Sequence, residues 1–98
     1  MIYITPADLS SVRLATLSIV FGVSKCKWFQ VEVLSNDTGV PVLIGDSGVQ
    51  VNRGIAIGPD PECRDFGPVA LAMDFYDLTA IWIKIPTGDV AVAAAFAV

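Results

Sequence analysis

The chain has 98 residues, of which 54% are hydrophobic, 16% are charged and none is histidine, and its net charge is −4 at pH 7. Ordinary domains carry about 25% charged and about 45–50% apolar residues. A single domain spanning residues 1–98 has little interior, so we expect it to bury part of its apolar surface against copies of itself or a larger partner. Its scattered basic residues do not form the clustered face typical of nucleic-acid binding, and no apolar stretch approaches the about 20 residues of a membrane span.

Short apolar segments separated by turn signals fill the first third of the chain. Residues 12–21 are rich in β-branched and apolar side chains and predict a strand that ends at Gly22. Residues 27–34 alternate between apolar and mixed positions, which predicts a second strand with one buried face. The buried face is predicted to carry Phe29, Val31 and Val33.

Turn residues dominate the middle of the chain. Asn36–Gly39 and Gly45–Gly48 predict turns, because Asn, Asp and Gly tolerate the backbone angles that turns require. Between them, residues 40–44 predict a short strand, and Pro41 suggests a position near a sheet edge since proline cannot donate to a ladder. Residues 49–51 and 54–57 fit short strands or an extended loop. Residues 58–65 carry two prolines and four charges and predict an exposed loop.

The last third of the chain again alternates in the manner of strands. Residues 69–76 and 78–85 each place apolar side chains on one face, with Trp82 and Lys84 on the outward face of the latter. Residues 86–89 predict a hairpin turn into a final strand at 90–98. That strand is apolar on both faces, whereas a strand with one wet face should alternate with polar residues. Either it is a central strand beneath a loop or one face lies in a subunit interface.

Six to eight short strands at intervals of about 8–12 residues predict an all-β fold. We expect a single-domain antiparallel β-sandwich, jelly-roll-like or barrel-like.

Motifs that could support catalysis are weak. The tetrapeptide Gly45–Gly48 matches the nucleophile motif of chymotrypsin-like proteases, but that chemistry needs a histidine base and the chain has none. We therefore expect no enzyme activity, no catalytic residues and no cofactor. A Cys pair without histidine disfavours zinc, and we expect Cys26 and Cys63 to be free thiols. No metal site is predicted, although a calcium ion on the acidic loop stays open as an alternative.

Aromatic and small residues on outward faces are the best candidates for an interaction surface. Trp28 and Trp82 each lie opposite their strand's aliphatic side chains, and tryptophan contributes large contact area at low entropic cost. The last strand adds Ala93, Ala95 and Phe96. We predict that these five residues contribute to an interface. For each tryptophan, packing beneath a loop is the alternative.

Three motifs follow one another in the middle of the chain: the Asn-x-Thr turn at 36–38, Val-Leu-Ile-Gly-Asp-Ser-Gly-Val at 42–49 and Gly-Ile-Ala-Ile-Gly-Pro at 54–59. This order of turns and strands, over about residues 12–92, resembles that of small virion structural proteins of tailed bacteriophages. The chain departs from the pattern at 58–60, where Pro-Gly would be usual. The resemblance implies a β-sandwich that decorates the outside of a capsid, often as a trimer, and bridges neighbouring capsid subunits.

The sequence thus predicts a non-enzymatic capsid decoration (cement) protein of a virion, assembled in the host cytoplasm. Its expected partners are copies of itself, most simply in a trimer, and a major capsid protein, with no direct contact to nucleic acid or membrane. The alternative is a carbohydrate- or host-surface-binding module of a phage tail or fibre. A small cytosolic hydrolase ranks third because histidine is missing.

Overall fold

Two four-stranded antiparallel sheets face each other across one apolar core. The computed structural model describes residues 2–5, 9–67 and 75–98 of the chain. The described strands are β1 (Ile2–Ile4), β2 (Leu14–Thr16), β3 (Lys25–Cys26), β4 (Trp28–Asn36), β5 (Val42–Gly45), β6 (Ile55–Ile57), β7 (Glu62–Phe66), β8 (Tyr76–Asp77), β9 (Trp82–Lys84) and β10 (Val90–Ala97). A short helix, α1 (Leu17–Phe21), follows β2.

The first sheet has the strand order β1-β10-β4-β7, and the second has the order β2-β9-β5-β6. Strands β3 and β8 form a separate small pair. All of these pairings are antiparallel, which confirms the predicted all-β sandwich. The described residues contain ten strands rather than six to eight, since several are only two or three residues long.

Alternating side chains of both sheets meet in the core. Phe29, Val31 and Val33 of β4 are at most 1% exposed, as the sequence pattern predicts. Ile44 and Ile83 enter the same cluster from the second sheet. This one continuous cluster leaves the opposite face of each sheet directed away from the core.

An aromatic cluster lies at the end of the core where β4 begins. The ring of Phe29 stacks on that of Phe66 with centroids 4.4 Å apart, and contacts Phe21 and Tyr76 edge-on at 6.1 and 5.3 Å. The ring of Phe21 in turn stacks on Phe96 at 4.7 Å. Such pairs contribute beyond their buried area, by about 0.5–1.5 kcal/mol each, so the cluster joins α1 to the first sheet.

The predicted strand at residues 12–21 is only half correct. It splits into β2 and the helix α1, which ends at Gly22 with φ of 75°. Leu17 and Phe21 are both buried, and their spacing of four residues matches one face of a helical turn. The amides of Leu17 and Ser18 donate to carbonyls of the loop before β9, which fixes the start of the helix.

The predicted exposed loop at residues 58–65 is also wrong in part. Residues Glu62–Phe66 form β7, which pairs with β4 at the edge of the first sheet. Charged residues are frequent on edge strands because they discourage further pairing, so the charges that suggest a loop also fit an edge. Of the predicted strand at 69–76, residues 69–74 lie outside the described residues.

Two predicted positions relative to the sheets are corrected. Pro41 does not mark a sheet edge, because β5 begins one residue later and lies between β9 and β6. Residues 86–89 do not close a hairpin, because β9 belongs to the second sheet and β10 to the first. The turn at 36–39 makes the reverse crossing, and the amide of Asp37 donates to the carbonyl of Asp89 at 3.0 Å. The two crossings therefore support each other.

Replacement of Gly54 by alanine is expected to lower the free energy of unfolding by about 1–3 kcal/mol. Gly54 has φ of 153°, and an added Cβ would lie 2.8 Å from Cγ2 of Val49 and 3.1 Å from the carbonyl oxygen of Ile44. Gly48→Ala is the matched control in the same loop, since its Cβ would meet no atom closer than 3.4 Å. Urea denaturation measures both, and equal losses at the two glycines would contradict this loop geometry.

Candidate functional site

The outward side of the first sheet is unusually apolar along β10. The positions of β10 that point away from the core are all alanines: Ala91, Ala93, Ala95 and Ala97. Strand β10 lies between β1 and β4, so larger side chains stand on both sides of this stripe. Tyr3 lies opposite Ala95 on one side, and Gln30 lies opposite it on the other. We call this outward side of the first sheet the alanine face.

Small residues between larger ones create a groove on the alanine face. The groove measures about 50 Å³ and is lined by Tyr3, Gln30, Glu32 and residues 93–95. Tyr3 is 72% exposed while Ala95 is only 4% exposed, so the tyrosine forms a wall and the alanine forms the floor. The groove is therefore an apolar slot with one aromatic wall and one polar wall.

The polar side of the alanine face is acidic. Ala93 lies opposite Glu32, and the next row places Asp65 of β7 opposite Gln30. Among the paired outward positions of β1, β10, β4 and β7, none is basic. The side-chain amide of Gln30 donates to the Cys63 sulfur beside this row. The face therefore combines an apolar slot with a border of negative charge.

The outward side of the second sheet has a different character. Leu14 lies opposite Lys84, which also lies opposite Leu43 on its other side. Leu14 is 51% exposed, Lys84 is exposed, and Leu43 is 2% exposed. Lys84 is the single charged residue among the paired outward positions of this sheet. We call this surface the lysine face.

The two tryptophans that are predicted to contribute to an interface lie on opposite sides of the sandwich. Trp28 pairs with Ala97 and belongs to the alanine face, whereas Trp82 pairs with Thr16 and belongs to the lysine face. Both are partly buried. Trp28, Ala93 and Ala95 are thus brought together on one surface, while Trp82 belongs to another. Their roles in binding stay predictions.

Phe96 is not part of either surface. Its side chain is 1% exposed and stacks on Phe21 inside the core. It therefore offers no area to a partner, and its prediction as an interface residue is wrong. The alternation of β10 already places Phe96 with Val90 and Val92, on the face opposite Ala93 and Ala95.

Three exposed apolar residues are not marked by the sequence pattern, and two of them, Tyr3 and Leu14, lie on these surfaces. Tyr3 and Leu14 were missed because each lies on a strand of three residues, too short to show alternation. Val51 is 71% exposed in the tight turn whose ends, Gln50 and Arg53, exchange backbone hydrogen bonds of 3.0 and 2.7 Å. High exposure of an apolar side chain is the shared signal, and it requires the fold.

The turn at residues 45–48 is a structural element. The Asp46 carboxylate accepts a hydrogen bond from the Gly48 amide at 2.9 Å and forms an ion pair with Arg53 at 2.6 Å. The hydrogen bond from Arg53 holds the pKa of the Asp46 carboxyl below its ordinary value. These contacts hold the loop in its conformation, so the Gly-Asp-Ser-Gly motif has a structural role.

Two lysines gather at one end of the sandwich. The ammonium groups of Lys25 and Lys27 lie 4.5 and 5.5 Å from the ring centroid of Phe75, within the range of cation–π attraction. Lys25 also lies opposite Asp77 in the β3–β8 pair. Phe75 therefore lies beside both positive charges, and Asp77 lies opposite Lys25.

Within the described ranges, no group of three or more acidic, cysteine or histidine side chains converges as a metal site would require. In the acidic stretch near β7, Glu62 forms an ion pair with Arg64 at 3.2 Å. No helix in the described part of the chain has the length and apolar character needed to cross a bilayer.

The two free cysteines are expected to differ in reactivity toward iodoacetamide. Cys26 is fully buried and burial raises the pKa of its thiol, which lowers the thiolate fraction, whereas Cys63 is exposed. In dilute native protein we expect modification at Cys63 alone, and modification at both in urea. Peptide mass spectrometry reads out the two sites. Rapid native labelling of Cys26 would contradict its position in the core.

Comparison of the chain with protein-family models, with curated proteins and with solved structures gives no match. The two faces are therefore the features of the molecule that bear on its function.

Proposed function

We propose that this chain is a non-enzymatic structural protein that acts by adhesion, as a capsid decoration protein of a virion. The observation that carries the proposal is the alanine face. The central strand of this face carries four outward alanines, and the neighbouring Tyr3 is 72% exposed. This composition is typical of a surface that a protein partner covers. Adhesion through such faces accounts for the apolar excess of the whole chain.

The second face supports the bridging part of the proposal. A decoration protein that joins neighbouring capsid subunits, or copies of itself, needs at least two separate contact surfaces. The alanine face and the lysine face lie on opposite sides of the sandwich and differ in charge. Small subunits repeated on a lattice also gain avidity from many such contacts. A trimer that binds the major capsid protein is the proposed assembly.

The glycan-binding alternative has less support from the geometry. An aromatic platform for sugars would benefit from tryptophans that share a surface, but Trp28 and Trp82 lie on different sheets and opposite faces. On the alanine face, the exposed Tyr3 lies one row from Trp28 and two strands away, on the far side of β10.

Mass spectrometry of purified virus particles from the host that carries the gene tests the proposal. We expect the chain in intact, nuclease-treated particles at a copy number comparable to that of the major capsid protein. Its release by mild denaturant before capsid disassembly would support a position on the outside. Absence of the chain from particles that contain all other structural proteins would contradict the proposal.

A further inference from the structure

We propose that the lysine face of one copy binds the alanine face of the next copy, with Leu14 entering the alanine groove and Lys84 pairing with Glu32. This inference rests on the self-association in the proposed function and specifies its geometry. The contact joins two different surfaces, so it is heterologous. Such contacts close into rings, a trimer among them, or continue as open arrays.

The strand registers place the apolar and charged groups of the two faces at matching spacing. On the lysine face, the exposed Leu14 lies directly opposite Lys84 on the neighbouring strand. On the alanine face, Ala93 lies directly opposite Glu32 on the neighbouring strand. Neighbouring strands are spaced about 4.7–4.9 Å apart in any sheet. At the level of the backbone, Leu14 and Lys84 therefore have the same separation as Ala93 in the groove lining and Glu32.

Charge selects this pairing over contact between identical faces. The alanine face carries Glu32 and Asp65 without a basic residue among its paired positions, so two alanine faces would bring like charges together. Two lysine faces would offer Lys84 no carboxylate among their paired outward positions. Only contact between different faces places Lys84 beside a carboxylate, and complementary charge fixes register while opposing wrong pairings.

The groove also suits the occupant in its apolar lining. Its floor is alanine and its wall is Tyr3, so a branched aliphatic side chain can lie against apolar atoms on two sides. Leu14 is a half-exposed aliphatic residue with a cation beside it on the second sheet. The proposed occupant is thus a second copy of this chain.

Charge reversal in the full chain tests the contact by native mass spectrometry over a concentration series. We expect Lys84→Glu and Glu32→Lys each to weaken self-association at least about tenfold, because each replaces an opposite-charge pair with a like-charge pair. The double variant, Lys84→Glu with Glu32→Lys, should return to within a few-fold of the unmodified chain. Lys25→Glu makes the same charge change in the separate β3–β8 pair, outside both sheets, and should leave association unchanged.

The outcomes separate this contact from the proposed function. An oligomer that tolerates Lys84→Glu, or single variants that the double variant does not rescue, would overturn the heterologous contact. An unmodified chain that stays monomeric would overturn it as well. The presence of the chain in purified particles is read independently, so failure here leaves the decoration proposal to its own test. Circular dichroism spectra matching the unmodified chain establish that each variant is folded.

Discussion

Phe29→Ala is expected to lower the free energy of unfolding by about 3–5 kcal/mol. The ring is 1% exposed and contacts Phe66, Phe21 and Tyr76 within the aromatic cluster. Its removal leaves a cavity bordered by β7, β8 and α1, so relaxation of one neighbour cannot fill it. Because domains of this size have a total stability of about 5–15 kcal/mol, the variant should be close to unfolding at elevated temperature.

Leu34→Ala is the control for Phe29→Ala on the same strand. Leu34 is 43% exposed, so we expect a loss of less than about 1 kcal/mol. Urea denaturation followed by tryptophan fluorescence measures both variants, and Phe29→Leu, which keeps most of the volume, covers the case in which the alanine variant does not fold. Similar losses at positions 29 and 34 would show that the inward face of β4 is assigned incorrectly.

Ala95→Lys is expected to weaken self-association at least about tenfold while the chain stays folded. Ala95 forms the floor of the groove at 4% exposure, and a lysine there would fill the slot and put an ammonium where an apolar side chain should bind. The long side chain can emerge from the groove toward solvent, because the face points away from the core. Sedimentation velocity measures association, and circular dichroism verifies the fold.

Ala80→Lys is the control for Ala95→Lys. It introduces the same side chain at an exposed alanine in the turn between β8 and β9. We expect its association to equal that of the unmodified chain. If both variants associate as strongly as the unmodified chain, the alanine groove takes no part in self-association. If both dissociate, the effect is one of net charge and the groove assignment fails.

Most of what the sequence predicts about this fold comes from the alternation of apolar and other side chains along each strand. The longest strands, β4 and β10, are predicted nearly in full because eight or nine residues show the alternation clearly. Turn chemistry adds the loop at residues 45–48, where Asp46 binds the Gly48 amide. Alternation also predicts that Trp28 and Trp82 point away from the core.

The alternation of side chains does not indicate to which sheet each strand belongs. Trp28 and Trp82 share an outward orientation but lie on opposite faces, because the turn at 86–89 crosses between sheets. The crossing depends on long-range pairing with β4, which no local pattern reports. The helix α1 is not predicted from the sequence for a related reason. Its five residues are too few for a period, and its start is fixed by carbonyls about 60 residues away in sequence.

Native mass spectrometry of the unmodified chain across a concentration range tests the adhesive role of the outer faces most directly. We predict a defined oligomer whose mass is an integral multiple of the 10.4 kDa chain, a trimer in the proposed assembly, that persists into the micromolar range. A single species of 10.4 kDa at every concentration would contradict the account.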